Sequence, residues 1–201
     1  MSEVLAIGGA KTNADLIADC HTLGYINDED RVLDMTYGMG SFWKKYLPPH
    51  LVANDLDPTK GEHHLDWTKP NGWQELGTFD VVVFDPPYKL NGTGGSHESD
   101  GRYGVSWAYK SIEEKHRDIR LGMTTAASLL AVKGRLLLKC MDQVSSGKVH
   151  WQTHEFASFA ADEGLRLVDA LHLVGHRAQP RGRRQVHARR NHSTLMVFER
   201  S

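Results

Sequence analysis

Residues 79–92 read FDVVVFDPPYKLNG. Val81, Val82, Val83 and Phe84 form a continuous apolar run, the signature of a strand buried on both faces. The run stops on Asp85, followed by Pro86, Pro87 and Tyr88. The prolines fix the backbone and lack an N–H, which leaves carbonyl oxygens free to accept. Tyr88 offers a flat face on which a planar ring can stack. Two acceptors beside a stacking face suit a planar group bearing an NH2. The competing structural role is a tight turn, with Asp85 as a cap and Tyr88 in the core.

Working outward, Arg31–Met35 reads as a strand that enters a glycine loop, Thr36-Tyr37-Gly38-Met39-Gly40, and Leu51–Asp55 reads as a second strand closing on an acid. Upstream, Thr12–Leu23 has a helical apolar spacing, with Asn13 as N-cap and Gly24 as stop. Ser41–Tyr46 starts a helix that Pro48-Pro49 ends. A weaker strand lies at His63–Trp67. Downstream, Ser111–Val132 is helical and capped by Gly134, and Leu136–Leu138 begins the fifth strand. Phe156–Glu163 is a helix, and Leu165–Val174 and Thr194–Phe198 supply the last two strands. Helices alternate with seven strands, which predicts an α/β fold: a mostly parallel seven-stranded sheet with helices on both faces. Such sheets bind ligands at the carboxyl ends of their strands. Asp34, Asp55 and Asp85 all fall there.

Gly38 and Gly40 let the backbone approach a ligand closely, and Asp55 is placed to accept ribose hydroxyls. Together they describe a nucleoside pocket. A GxGxxG fingerprint needs glycine at position 43, where Trp43 stands, and the P-loop pattern fails before Lys11-Thr12 because Leu5 occupies its leading position.

The chain of 201 residues with net charge −1 fits one domain, 1–201. No apolar run approaches membrane-spanning length, the N-terminus does not read as a signal peptide, and two cysteines supply no disulfide framework. A cytoplasmic setting is expected. The charge is uneven: residues 176–192, HRAQPRGRRQVHARRNH, hold six arginines and no acid. Arg177, Arg181, Arg183, Arg184, Arg189 and Arg190 form a basic loop, 175–193, suited to phosphate or simply to solvent. The glycine-rich residues 89–110 read as a lid or substrate loop, in which Tyr103, Trp107 and Tyr109 stack on bases or anchor the lid. The pairs His150/His154 and His172/His176 lack a third ligand and read as surface histidines, so no metal site is expected.

The segments VLDMTYGMGSFW, VANDLDP and VVVFDPPY, in this order, resemble the class I S-adenosylmethionine-dependent amino-methyltransferases that act on adenine N6 or cytosine N4 in DNA. HSTLMVFER looks like the closing strand of that family, and the resemblance spans about residues 11–199. It implies a Rossmann-like class I methyltransferase fold with S-adenosylmethionine as cofactor. Asp34, Met35, Thr36, Gly38 and Gly40 would line the methionine part and Asp55 the ribose, next to Leu56. Asp66 and Trp67 would sit near the cofactor adenine, and Lys11, Thr12 and Asn13 near its carboxylate. Asp85 and the Pro86 carbonyl, with Pro87, would hold the target amine while Tyr88 stacks on the base. DPPY is more typical of the adenine enzymes. Attack is direct, and duplex substrate must present a flipped base. Sequence-specific members usually carry a long target-recognition segment, for which this chain has no room between Asp34 and Asp85. Sequence choice then falls to the two loops or to a protein partner. RNA bases, and a non-catalytic nucleic-acid-binding module, remain as alternatives to DNA methylation.

Overall fold

The computed structural model describes residues 5–6, 8–90, 110–175 and 186–201. Its main sheet has the order β2-β1-β3-β4-β8-β7, from β1 (Arg31–Asp34), β2 (His50–Ala53), β3 (Phe79–Phe84), β4 (Leu130–Cys140), β7 (Leu165–Val174) and β8 (His192–Arg200). The β2-β1-β3-β4 half is parallel, and β8 runs antiparallel between β4 and β7. A small hairpin, β5 (Gln143–Ser145) with β6 (Lys148–His150), stands apart.

The apolar run of β3 is buried because both faces are covered. Val81 and Val83 face Leu16, Ile17 and Cys20 of helix α1 (Asn13–Thr22). Val82 and Phe84 face Ile119 and Met123 of helix α2 (Ile112–Leu129) and Phe156 of helix α3 (Gln152–Asp162). Each such side chain contributes about 1.5–3 kcal/mol on burial. Gly122 brings α2 hard against the sheet: a Cβ there would stand 2.4 Å from Phe84 Cζ and 3.0 Å from Trp67 Cε3.

Several expectations are corrected. Among the described residues the main sheet has six strands, not seven. The strand expected at His63–Trp67 shrinks to one parallel bridge, Asn54 to His63. Beyond it the Asn54 side chain takes over, accepting from Leu65 N–H (2.7 Å) and donating to Leu65 O (3.0 Å). The helix expected at Ser41–Tyr46 is a single 3₁₀ turn, Ser41–Lys44, with Trp43 tied back to Asp34 and Pro48-Pro49 close behind. Thr12, not Asn13, caps α1: its hydroxyl accepts from Asp15 N–H (3.2 Å), and Asp15 accepts in return from Thr12 N–H (2.7 Å). Gly134 caps no helix. Helix α2 hands over to β4 at Leu130, and Gly134 sits where the β3–β4 register slips. Helix α3 begins at Gln152, ahead of the expected Phe156.

Among the described residues, no helix is long and apolar enough to cross a membrane.

Candidate active site at the carboxyl edge

Three acids mark the carboxyl ends of β1, β2 and β3. Asp34 is 3% exposed, and both its oxygens are occupied: Thr36 N–H donates to Oδ1 (2.9 Å) and Trp43 Nε1–H to Oδ2 (2.7 Å). Burial pushes its carboxyl up to about 7 against these two donors, and the charges of Asp85 and Asp55 add to the rise. Asp55 accepts Gly38 N–H on Oδ2 (2.7 Å) and Asp57 N–H on Oδ1 (2.9 Å). Each of these oxygens keeps a lone pair for a ligand hydroxyl.

Asp85 is different. Its N–H donates to Thr36 Oγ1 (2.8 Å), which pins the strand end to the glycine loop. The residue as a whole is partly exposed, yet its Oδ1 is buried with no hydrogen-bond partner among the described residues. Burial raises its carboxyl above the usual range, and the Lys139 ammonium pulls it back down.

Two adjoining hollows meet at Asp85. The larger, about 230 Å³, is lined by Asp34, Thr36, Gly38, Phe42 and Lys60 besides Asp85. The smaller, about 20 Å³, is lined by Met35, Thr36, Asp55, Leu56, Trp67 and Pro87 besides Asp85. Gly38 and Gly40 hold φ of +58° and +63°, left-handed values that glycine adopts without strain. Asn54 locks the frame, donating to Met35 O (3.0 Å) and Leu65 O (3.0 Å) at once.

The structure thus gathers Asp34, Met35, Thr36, Gly38, Asp55, Leu56, Trp67, Asp85 and Pro87 around one cleft. Pro86 is buried beside Asp85, and Gly40 opens the 3₁₀ turn behind the glycine loop. Tyr88 is half-buried, and its backbone oxygen accepts from Gln143 Nε2 (2.8 Å) and Gln152 Nε2 (2.9 Å). Trp67 packs edge-on against Phe84 with ring centres 5.2 Å apart. Asp66 lines neither hollow. Its Oδ1 is held by Thr68 N–H (2.9 Å) and Oγ1–H (2.7 Å), and its Oδ2 lies 3.3 Å from Lys69 Nζ.

Lys11 and Thr12 spend their N–H groups on Asp15 in the α1 cap, and neither lines a hollow. Asn13 turns inward instead, and its Oδ1 accepts from Lys139 Nζ (2.5 Å). Arg189 is exposed, and the Arg190 guanidinium stacks 4.6 Å above the Trp151 ring. Arg177, Arg181, Arg183 and Arg184, most of the lid at 89–110, and Tyr103, Trp107 and Tyr109 lie outside the described residues.

Sequence reasoning passed over Lys139, Gln143, Gln152, Trp43 and Lys60. Only Lys139 left a signal: a lysine inside the apolar strand LLLKC. The polar clamps are long-range and leave no local pattern. Among the described residues, no three His, Cys, Asp or Glu side chains gather as a metal site.

No protein-family model matches the chain. No curated protein matches it. Solved structures do. An O-methyltransferase family protein from Burkholderia thailandensis superposes with a TM-score of 0.53 at 17% identity, over 94% of this chain and 55% of its own. This chain therefore spans little more than half the length of that protein. The N-methyltransferase NodS from Bradyrhizobium japonicum WM9 gives a TM-score of 0.56 at 14% identity, over 93% of each chain. CalS10, an amino pentose methyltransferase from Micromonospora echinaspora solved with SAM bound, gives 0.52 at 15% identity over the full length of both. At these identities the common property is the architecture: this chain has the methyltransferase fold, a mostly parallel sheet with helices on both faces.

Proposed function

We propose that this chain transfers a methyl group from S-adenosylmethionine to an exocyclic amine of a nucleic-acid base, with adenine N6 in DNA the favoured target. The observation that carries the reading is Asp85 Oδ1. It is a buried acceptor without a partner among the described residues, at the end of β3, immediately before Pro86, Pro87 and Tyr88. A buried carboxylate oxygen left unsatisfied costs folding free energy, and an entering amine N–H removes that cost.

The residues present fit the cofactor. Asp55 retains acceptor capacity for ribose hydroxyls, Gly38 approaches without a Cβ, and Leu56 and Trp67 provide apolar walls. When bound, S-adenosylmethionine supplies an electrophilic methyl on a sulfonium sulfur. Asp85 and the Pro86 carbonyl accept the N–H groups of the target amine, which turns its lone pair out of ring conjugation and toward the methyl. Tyr88, with its backbone oxygen clamped by Gln143 and Gln152, presents its ring to the base. The protein's contribution is positioning and preorganised charge.

Arginine favours a polyanion as substrate. Arg189 and Arg190 precede β8, whose first residues pair beside the carboxyl end of β4, the edge of the sheet where the cleft lies. Arg177, Arg181, Arg183 and Arg184 would extend that basic surface, and a protein partner would supply target choice.

The test is methyl transfer from labelled cofactor to duplex DNA, single-stranded DNA and RNA, with nucleosides resolved by mass spectrometry, for wild type and Asp85→Ala side by side. N6-methyladenine from DNA, absent with the variant, is the expected result. Label in RNA alone would replace the substrate and keep the chemistry. Cofactor binding without label anywhere would return the chain to a binding role or to dependence on a partner.

A further inference from the structure

Lys139 lies on β4, next to the strand that ends in Asp85, and is 1% exposed. Its ammonium is 5.4 Å from the centre of the Phe42 ring and 5.9 Å from that of Tyr88. Phe42 lines the larger hollow, so the charge sits beneath the floor of the cleft. The Asn13 Oδ1 contact at 2.5 Å anchors the ammonium but carries no counter-charge.

A buried ammonium without an opposing charge is strongly disfavoured, and so is a buried carboxylate. Lys139 and Asp85 resolve each other's difficulty. The other charged groups lining the two hollows with Asp85 are Asp34 on β1, Asp55 after β2 and Lys60, whose ammonium is paired with Asp57 at 3.0 Å. On β4, Cys140 is held neutral by burial, with its thiol pushed above the ordinary range. The parallel register pairs Phe84 with Leu138, which sets Lys139 beside Asp85 on the next strand, and its ammonium draws the Asp85 carboxyl down. The influences are reciprocal: burial lowers Lys139 and Asp85 supports its charge, while burial raises Asp85 and Lys139 opposes the rise.

We propose that Lys139, anchored by Asn13, is the positioning residue that keeps Asp85 ionised as the acceptor for the target amine; the proposal rests on the methyl-transfer reading of this site. In the transfer the amine nitrogen would gain an N–C bond as the methyl–sulfur bond of the sulfonium breaks and a neutral thioether leaves, and the N–H proton would depart along its contact to the Asp85 carboxylate. A neutral Asp85 would be a weaker acceptor, with one of its oxygens turned into a donor, and could not take the departing proton. Asn13, which lies in the stretch assigned by resemblance to the cofactor carboxylate, serves instead to orient the lysine.

The experiment follows the Asp85 side-chain carbon by NMR across pH in protein labelled at the aspartate carboxyls, with the resonance assigned from Asp85→Asn. Wild type is compared with Lys139→Met and Lys139→Arg. The expected result is that Asp85 titrates at higher pH in Lys139→Met and returns toward wild type in Lys139→Arg. The acid limb of the rate profile should move the same way, with the neutral-pH rate of Lys139→Met down about tenfold to a thousandfold. An Asp85 midpoint unchanged between wild type and Lys139→Met would overturn the proposal. Should Lys139→Met not fold, the reciprocal measurement decides: in Asp85→Asn, the Lys139 ε-carbon resonance should show deprotonation at lower pH than in wild type, and an unmoved titration overturns the pairing. Both titrations are independent of turnover. If Asp85 responds as expected while wild type methylates no amine, the methyl-transfer reading fails and the charge pair stands.

Discussion

Strands β1 and β3 are neighbours in the sheet, and a carboxylate stands at the carboxyl end of each, yet the two acids meet opposite fates. Asp34 receives a backbone donor and an indole donor, so both oxygens are committed inside the protein. Asp85 receives no donor on its buried Oδ1 among the described residues. Thr36 joins the two, giving its N–H to Asp34 and its hydroxyl oxygen to the N–H of Asp85. The difference separates two uses of one residue type. Asp34 builds the glycine loop, and Asp85 keeps an acceptor open beside the cleft.

The sharpest way to break this comparison is Asp85→Asn. We expect methyl transfer to fall about 10²–10³-fold while cooperative unfolding in urea persists. Loss of the fold instead would show that Asp85 is structural like its neighbour. For Asp34 the corresponding probe is Trp43→Phe, which removes the indole donor. We expect a loss of about 1.5–3 kcal/mol at about pH 8, where Asp34 is ionised, and a smaller loss at about pH 5. Equal losses at both would mean that Asp34 carries the same charge throughout.

Asp34 also sets a pH dependence whose sign is fixed. Its native carboxyl is pushed up to about 7, well above the ordinary 3.8, so the folded state binds the proton more tightly than the unfolded chain. Its contribution to stability is complete below about pH 4 and is lost as pH rises through about 7. The difference in unfolding free energy between wild type and Asp34→Asn, measured from about pH 4 to pH 8, isolates it. Wild-type stability that rises with pH relative to Asp34→Asn would contradict the burial argument.

Two smaller effects sharpen the picture. Tyr88→Ala should leave the backbone clamp of Gln143 and Gln152 intact and weaken substrate binding by about 1–3 kcal/mol, read in KM rather than in stability. Thr36→Val cuts the link between the loops at the N–H of Asp85, and should cost about 0.5–1.5 kcal/mol of stability. A double-mutant cycle with Trp43→Phe measures how far the two loops act as one.

Much of the architecture could be read from the chain alone, because buried parallel strands leave continuous apolar runs and their ends leave acids. Asp34, Asp55 and Asp85 converge as their strand ends required. Local spacing failed where long-range bonds replaced ladders. His63–Trp67 looks like a strand, but Asn54 takes the backbone of Leu65 with its side chain. Ser41–Tyr46 looks like a helix, but the bond from Trp43 to Asp34 holds it to one turn. Asn13 looks like a cap and is an anchor for Lys139. Nothing in the spacing of Gln143 and Gln152 could have brought them to Tyr88, since their partner is a backbone oxygen more than fifty residues away.

Gly122 sits far from the cleft in the chain, yet only hydrogen at its α-carbon lets α2 rest on Phe84, the residue just before Asp85. A methyl group there must displace an aromatic ring, a helix or the strand end itself. Position 122 is therefore a natural dial for engineering: Gly122→Ala presses on Phe84, the residue before Asp85, and on Trp67, a wall of the smaller hollow. Tolerance to substitution at this site would map the allowed play of Asp85 in ångströms, as the residues of the cleft itself cannot.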